Sequence, residues 1–144
     1  MPVSEITGYS CRVKSLWGNN YLLLGNAGEF IDPIFSSGVT IALKSGDLAA
    51  DLLHKYFQGG QVNRAEDYAR TLQQGVDVFK AYVEAWYDGR FQDIVFHDKP
   101  NPAIQAMIGS VLAGYVWDNT NPYVAQCSRR LSALAKICGN QHLN

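Results

Sequence analysis

Strand patterns in this 144-residue sequence are confined to its first 24 residues, and nearly all of the rest is patterned for helices. Residues 9–14 alternate as a strand does, and Tyr21–Leu24 form a short apolar run after turn-forming residues at 17–20. We expect the apolar run to be buried in a sheet. Two strands alone make a hairpin that is marginal in water. The sequence therefore predicts a mainly α fold that begins with a short β-hairpin, and this hairpin requires further strands from elsewhere.

The first predicted helix runs from about Val39 to Phe57, after two serines that are possible caps, Ser36 and Ser37. Paired glycines end it at 59–60. Small side chains form a stripe along this helix, which lets another backbone or a sheet approach closely at some cost in helix propensity. The stripe consists of Ala42, Ser45, Gly46 and Ala49.

Three further helical segments are predicted after residue 60. The second helix spans 64 to about 87 and begins with a capping-box pair, Asn63 and Glu66. The third and fourth each start at an Asn-Pro pair, at Asn101 and at Asn121, because asparagine caps a helix and proline suits its first position. We therefore predict a bundle of about four helices. Its domains are a hairpin with a glycine-rich loop over residues 1–38 and a helical domain over residues 39–144.

Composition and charge argue against several kinds of partner. The net charge is −1 and the 12 basic residues do not cluster, so we expect no nucleic acid binding. No apolar run approaches the ~20 residues of a membrane span, and residues 1–9 lack the basic start and apolar core of a secretory signal. Cys11, Cys127 and Cys138 stand at no metal-ligand spacing. We expect no metal site, and we expect Cys127 and Cys138 to be small buried thiols of a cytoplasmic protein.

Residues 25–38 (GNAGEFIDPIFSSG) join the apolar run to the first helix and are the segment best suited to chemistry. Glycines let a ligand approach the backbone, and Ser36 and Ser37 supply hydroxyl groups. The unpaired amides and the dipole of the following helix favour negative charge. Many strand-to-helix loops, however, hold glycine and serine for turn geometry alone. By itself the pattern leaves open both a ligand site and a plain turn.

Three short sequence motifs in this segment resemble the second FAD-contacting motif of the flavin-dependent halogenases and their aromatic-hydroxylase relatives. Leu24–Ala27 resembles an apolar strand followed by Gly-Asp-Ala, Phe30–Pro33 matches a Phe-Ile-Asp-Pro word, and Ser36–Val39 matches a Ser-Ser-Gly-Val helix start. Residues 8–12 (GYSCR) resemble the strand before the motif. Further words, in the same order, resemble the helical tail of that family: Glu84–Gly89, Phe91–Ile94, Leu112–Asp118 and Asn121–Pro122. The resemblance covers nearly the whole chain.

The resemblance implies the carboxy-terminal portion of an FAD-dependent halogenase or monooxygenase, with a hairpin that belongs to the sheet of a larger FAD-binding fold. Three loop residues would face the ribityl chain of FAD: Gly25, Asn26 and Ala27. Four more would line the flavin edge: Pro33, Ser37, Gly38 and Val39. Ser37 and Gly38 match the positions that hold halide in true halogenases, and the amides of a helix start suit chloride.

Departures from the family pattern limit what the resemblance implies. Asn26 replaces the usual acid, which implies weaker FAD binding because an amide lacks the charge. Phe35 stands where tryptophan-type halogenases carry glutamate, so the resemblance is to the phenol or pyrrole class. The Gly-x-Gly-x-x-Gly fingerprint and the Trp-x-Trp-x-Ile-Pro word do not occur, and Lys14 and Lys44 do not match the context of the family's catalytic lysine. We therefore predict no catalytic residue in this chain.

Other chemically interesting residues are expected to be structural. Three histidines lack companions at ligand spacing: His54, His97 and His142. Asp32, which precedes a proline, suits a turn better than a catalytic role. The aromatic cluster of Trp86, Tyr87 and Trp117 suits core packing or a domain contact better than a substrate tunnel.

Two functions from different classes follow from the sequence. In the first, the chain acts only when joined to an amino-terminal FAD-binding domain, which is either part of the same polypeptide or a separate chain. In the second, it is a non-catalytic helical binding or oligomerisation module with a remnant flavin loop, and its orphan strand edges favour a homo-oligomer. FAD retained on purification would support the first, and a colourless, concentration-dependent oligomer would support the second.

Overall fold

The computed structural model describes residues 10–139, and helices dominate them as the sequence predicts. Two compact units divide the chain, Met1–Gln73 and Gln74–Asn144. The domain boundary after residue 38 stays a prediction. The expectations that concern residues 8 and 9 and His142 fall outside the described residues. Within residues 10–139, no helix is long and apolar enough to cross a membrane.

The strands of the first unit form a small antiparallel pair. Strand β1 (Cys11–Arg12) pairs with β2 (Glu29–Phe30), so that Cys11 lies opposite Phe30. Between the two strands the chain doubles back, with a bridge between Trp17 and Leu22. The predicted β-hairpin is therefore confirmed, although β1 pairs with β2 and not with the apolar run.

The expectation that Tyr21–Leu24 is buried was wrong. The side chain of Tyr21 is 53% exposed and that of Leu24 is 41% exposed, while Leu22 and Leu23 are half-buried. The contacts of this run include the Trp17–Leu22 bridge, the 2.9 Å hydrogen bond from the Leu23 amide to the Leu16 carbonyl and a hydrogen bond from the hydroxyl of Tyr68 to the Leu23 carbonyl. Within residues 10–139 no further strand pairs with this run, and the side chains of Tyr21 and Leu24 remain exposed.

Helix α1 (Gly38–Phe57) packs its small and aliphatic face into the first unit. The buried residues on this face recur at helical spacing: Ile41, Ser45, Ala49 and Leu52. The predicted serine caps are not formed, since no side chain accepts a hydrogen bond at this helix start. Ser37 occupies the cap position but has helical dihedrals (φ −69°, ψ −16°), and it is buried instead of folding over the first turn. Ser36 adopts a left-handed conformation (φ 53°) and ends the preceding turn.

The second predicted helix is present and opens with a wide π-helical turn over Arg64–Arg70, followed by α2 (Thr71–Tyr87). The Asn63 side chain accepts hydrogen bonds from the amides of Ala65 and Glu66, as predicted. The reciprocal half of the capping box differs: the Asn63 amide donates to the carboxylate of Asp67, at 3.0 Å. Glu66 instead forms an ion pair with Arg70.

Four helices follow in the second unit: α3 (Arg90–Val95), α4 (Pro102–Leu112), α5 (Pro122–Ala125) and α6 (Cys127–Gly139). Both Asn-Pro starts are confirmed, because Asn101 and Asn121 each accept hydrogen bonds from amides of the turn they cap. The last predicted helix is broken at Gln126, where φ is −136°. The short α3 carries no strong period of its own and was not predicted.

The core of the second unit is built around aromatic side chains. The ring of Tyr82 meets that of Phe91 edge to face, with centroids 5.4 Å apart, and Trp86 lies 6.3 Å from the same ring. Gly75 is needed beside Trp117, since a Cβ at that position would lie 2.2 Å from the indole. These contacts support the packing role expected for Trp86 and Trp117. Tyr87, by contrast, is exposed.

Candidate functional site

The glycine-rich loop packs directly on helix α1. Its first turn, Gly25–Ala27, has Gly25 in a left-handed conformation (φ +52°). A Cβ at Gly25 would lie 3.1 Å from the Cβ of Ala42, so a glycine permits the approach sterically as well as conformationally. The Gly25 amide donates a 2.9 Å hydrogen bond to the hydroxyl of Ser45, which is fully buried. The small-residue stripe thus brings this loop against the helix, as its pattern indicates.

A buried polar network fixes the approach of the loop. The hydroxyl of Ser45 donates to the Ala42 carbonyl at 2.9 Å while it accepts from Gly25. Beneath it, the hydroxyl of Tyr68 donates to the Leu23 carbonyl at 2.5 Å. Burial raises the pKa of Tyr68, and a hydrogen bond with Ser45 lowers it in part. Neither Ser45 nor Tyr68 was expected from the sequence to support the loop. For Ser45 the one signal was its hydroxyl group within a stripe of otherwise apolar small residues, and Tyr68 carried no such signal.

Asp32 has the structural role that the sequence favours. Its carboxylate accepts a hydrogen bond from the Ile34 amide at 3.1 Å and caps the short turn Pro33–Phe35. Glu29 in β2 is almost fully buried and lies 3.7 Å from the guanidinium of Arg12. Both carboxylates therefore help to fold the loop and the strand pair.

The predicted flavin-contacting residues divide into an exposed set and a buried pair. Five residues lie at the surface: Asn26, Ala27, Pro33, Gly38 and Val39. Gly25 and Ser37 are buried, and Ser37 is only 2% exposed. The structure brings Asn26 and Gly38 together, since the Asn26 amide oxygen is 3.6 Å from where a Cβ of Gly38 would stand. We call the exposed set, with the first turn of α1, the open corner.

The electrostatic character of the open corner comes from the start of α1. No acidic residue lies in its first turn and no side chain caps it. Within residues 10–139, the amides of Gly38 and Val39 have no hydrogen-bond acceptor. A 20-residue helix with free amides attracts an anion or an electron-rich ligand atom. The corner therefore offers backbone donors, the carboxamide of Asn26 and an apolar surface at Val39, which is 70% exposed.

Residues 10–139 contain no group of three or more side chains arranged to hold a metal ion. Lys44 forms an ion pair with Asp47 at 3.0 Å on the surface of α1. His54 lies 3.0 Å from Gln58 at the end of the same helix. The three cysteines are free thiols, and only Cys138 is buried as expected, because Cys127 is half-buried.

Comparison with known proteins places these features in context. A family model described as tryptophan halogenase matches residues 2–105. Over 118 residues the chain is 25% identical to a 1H-pyrrole-2-carbonyl-(peptidyl-carrier protein) chlorinase of Pseudomonas fluorescens, covering 78% of this chain and 26% of that protein. Over 70 residues it is 41% identical to a tryptophan 2-halogenase of Chondromyces crocatus, covering 46% of this chain and 13% of that protein.

A solved structure agrees with the fold over most of the chain. It is a flavoprotein/dehydrogenase from Cytophaga hutchinsonii, 41% identical, with a TM-score of 0.89 over 94% of this chain and 33% of that one. The chain therefore spans about a quarter of the Pseudomonas chlorinase and a third of the Cytophaga flavoprotein.

Proposed function

Because this chain belongs to the tryptophan halogenase family, we propose that it supplies one side of the FAD site in a flavin-dependent halogenase or related monooxygenase. The observation that carries the proposal is the open corner, where Asn26, Gly38 and the free amides of α1 meet at the surface. In this proposal the corner belongs to the carboxy-terminal portion of the enzyme. Most of the cofactor is held by an amino-terminal FAD-binding part, in the same polypeptide or in another chain.

The residues of the open corner suit one side of a flavin. Glycine at position 38 leaves the backbone bare, so a flat ring system can lie against it without meeting a side chain. Asn26 donates and accepts hydrogen bonds and suits the ribityl hydroxyl groups, while Ala27 and Pro33 add small apolar contact. Bound FAD would supply the redox chemistry. This chain's part is to position the cofactor and to exclude water from one of its faces.

A halide, if the enzyme uses one, is proposed to lie at the start of α1. In the part of the chain that the structure describes, the amides of Gly38 and Val39 have no acceptor, and both residues are exposed, which suits chloride or bromide. Ser37 is nearly inaccessible, so its hydroxyl is a poorer contact than the Gly38 amide. No lysine of this chain matches the context of the family's catalytic lysine, and we assign that residue to the amino-terminal part.

Exposed apolar side chains in the first unit support the proposal that another part of the enzyme covers this surface. A groove of about 460 Å³ is lined by Tyr21, Leu22 and Leu24 of the apolar run and by the carboxyl half of α1, including Leu53 and Tyr56. Phe57 at its end is 80% exposed. Exposed aromatic patches of this kind mark interaction sites on soluble proteins.

We also propose a cytoplasmic location, because all of the cysteines are free thiols.

The experiment grafts this chain in place of the matching third of the Cytophaga flavoprotein and measures the FAD retained by the hybrid protein. Gly38→Ala should weaken FAD binding about tenfold, because a methyl group would stand between the backbone and the flavin. The added Cβ would make only an ordinary 3.6 Å contact with Asn26, so the variant should fold. Gly46→Ala on the same helix has open space around it and serves as the matched control. Equal FAD affinity in both variants would refute the proposed contact.

A second function, a helical oligomerisation module, is favoured by the same exposed groove. In that case the isolated chain should form a colourless oligomer whose mass rises with concentration. Sedimentation of the purified chain with and without excess FAD distinguishes the two functions. The module predicts the same assembly under both conditions, with no flavin absorbance moving with the protein.

A further inference from the structure

The second unit contains a small apolar cavity that the proposed flavin site does not use. It measures about 210 Å³ and lies among α3, α4 and α6. Buried side chains of Ile94, Ile108 and Cys138 form its floor, and the half-buried Ile104 and Leu134 form its walls. Apolar cavities of about 150 Å³ stay dry and accept benzene-sized molecules. This cavity is therefore large enough for a ligand of about ten non-hydrogen atoms.

One edge of the cavity carries the ammonium group of Lys99. His97 also lines this edge, and Asn101, which caps the start of α4, lies beside it. Within residues 10–139, Lys99 has no ion-pair partner. Asp98 lies between the two basic residues in sequence but does not line the cavity.

Another part of the lining has the reverse polarity. It is formed by the carboxyl end of α6 at Ile137 and Cys138, where helix carbonyls carry partial negative charge. Burial and, to a lesser extent, the nearby carboxylate of Asp93 raise the pKa of the Cys138 thiol. An amphipathic ligand would thus be oriented with its negative end toward Lys99 and its apolar end toward Cys138.

We propose that this cavity binds a small organic monocarboxylate, with its hydrocarbon body among the isoleucines and its carboxylate beside Lys99. Larger anions such as nucleotides are too big for a cavity of this volume. A neutral hydrocarbon would fill the same space without using the ammonium group of Lys99, which lies exposed at the edge of the cavity. The proposal does not depend on flavin binding, because all of its residues lie in the second unit.

The test is a titration of the 144-residue chain with sodium benzoate, followed by amide NMR shifts, with benzyl alcohol as the neutral match. Benzoate should give saturable shifts at Ile104, Gln105 and Cys138, and benzyl alcohol should bind at the same place more weakly. Absence of saturable shifts at these residues would overturn the site.

Two pairs of variants separate the site from general effects. Ile104→Trp should reduce benzoate affinity at least tenfold by filling the cavity, whereas Ala106→Trp, exposed on the same helix and outside the cavity, should not. Lys99→Gln should weaken benzoate binding about three- to fivefold and leave benzyl alcohol unchanged, as expected for a partly exposed ion pair. Lys136→Gln on α6 is the control for net charge. Equal losses for both ligands in Lys99→Gln would overturn the carboxylate assignment, and unchanged binding in Ile104→Trp would overturn the cavity.

Discussion

Replacing Ser45 with alanine should loosen the glycine-rich loop, because one buried hydroxyl accepts the Gly25 amide and donates to the Ala42 carbonyl. Leaving the buried Gly25 amide unpaired costs about 1–3 kcal/mol. Alanine is the better helix former by about 0.5 kcal/mol and returns part of that cost. The Ala42 carbonyl lies within a regular helix, so loss of its extra hydrogen bond adds little. We therefore expect a net loss of about 0.5–2.5 kcal/mol in unfolding free energy.

The assay combines urea unfolding of the chain with hydrogen exchange at the Gly25 amide. Ser45→Ala should lower the free energy of unfolding and speed exchange at Gly25 more than exchange in α4. Ser128→Ala, at an exposed position of α6, is the control, and it should be neutral or slightly stabilising. If Ser45→Ala is as stable as the parent chain and the Gly25 amide stays equally protected, the network is not what holds the loop.

Four further outcomes are expected. Gly25→Ala should destabilise the chain by about 1–3 kcal/mol in thermal unfolding, since its φ is +52° and the added methyl would press on Ala42. Gly46→Ala should stabilise it by about 0.5–1 kcal/mol, because open space surrounds that position. Asn26→Asp should raise the free energy of unfolding by about 0.3–1 kcal/mol at low salt, because the carboxylate would lie near the positive end of the α1 dipole. This gain should vanish at high salt, or as the carboxylate is protonated below about pH 4. Burial raises the pKa of Tyr82, so the folded state keeps the phenolic proton after the unfolded chain has lost it. The free energy of unfolding should therefore fall above about pH 10. In urea unfolding at several pH values, Tyr82→Phe should make this fall with pH less steep.

Helix starts were predictable because their signals are local. Asn63, Asn101 and Asn121 each cap the turn expected of them, since an asparagine side chain reaches amides only two or three residues ahead. The same kind of local signal wrongly predicted that Ser36 or Ser37 caps α1. There the loop imposes a left-handed turn and buries Ser37, so tertiary packing overrides the capping preference of serine.

The burial of Tyr21–Leu24 was mispredicted for a different physical reason. An apolar run indicates that burial is favourable, but it does not specify which surface provides it. In the described residues this run is paired as a strand with another segment only through the bridge between Trp17 and Leu22, and Tyr21 stays half exposed. The break at Gln126 was also beyond sequence reasoning, because α5 and α6 share an unbroken helical period and only backbone geometry separates them.

The sequence indicated which loop forms the candidate site, but it did not indicate the residues that hold this loop in place. The resemblance pointed to Asn26 and Gly38, and the structure places them side by side. Ser45 and Tyr68 act at distances of 20 and 45 residues from their partners Gly25 and Leu23, so no local pattern links them. Their role follows only from the packing of α1 and the π-helical turn against the loop.

The most direct test of the central claim is a crystal structure of the FAD-loaded hybrid in which this chain replaces the matching third of the Cytophaga flavoprotein. We expect the flavin to lie against the bare backbone of Gly38 and Val39, with the carboxamide of Asn26 within hydrogen-bond distance of the cofactor. A flavin bound on another surface, with the open corner covered by protein side chains, would contradict the proposed role of this corner.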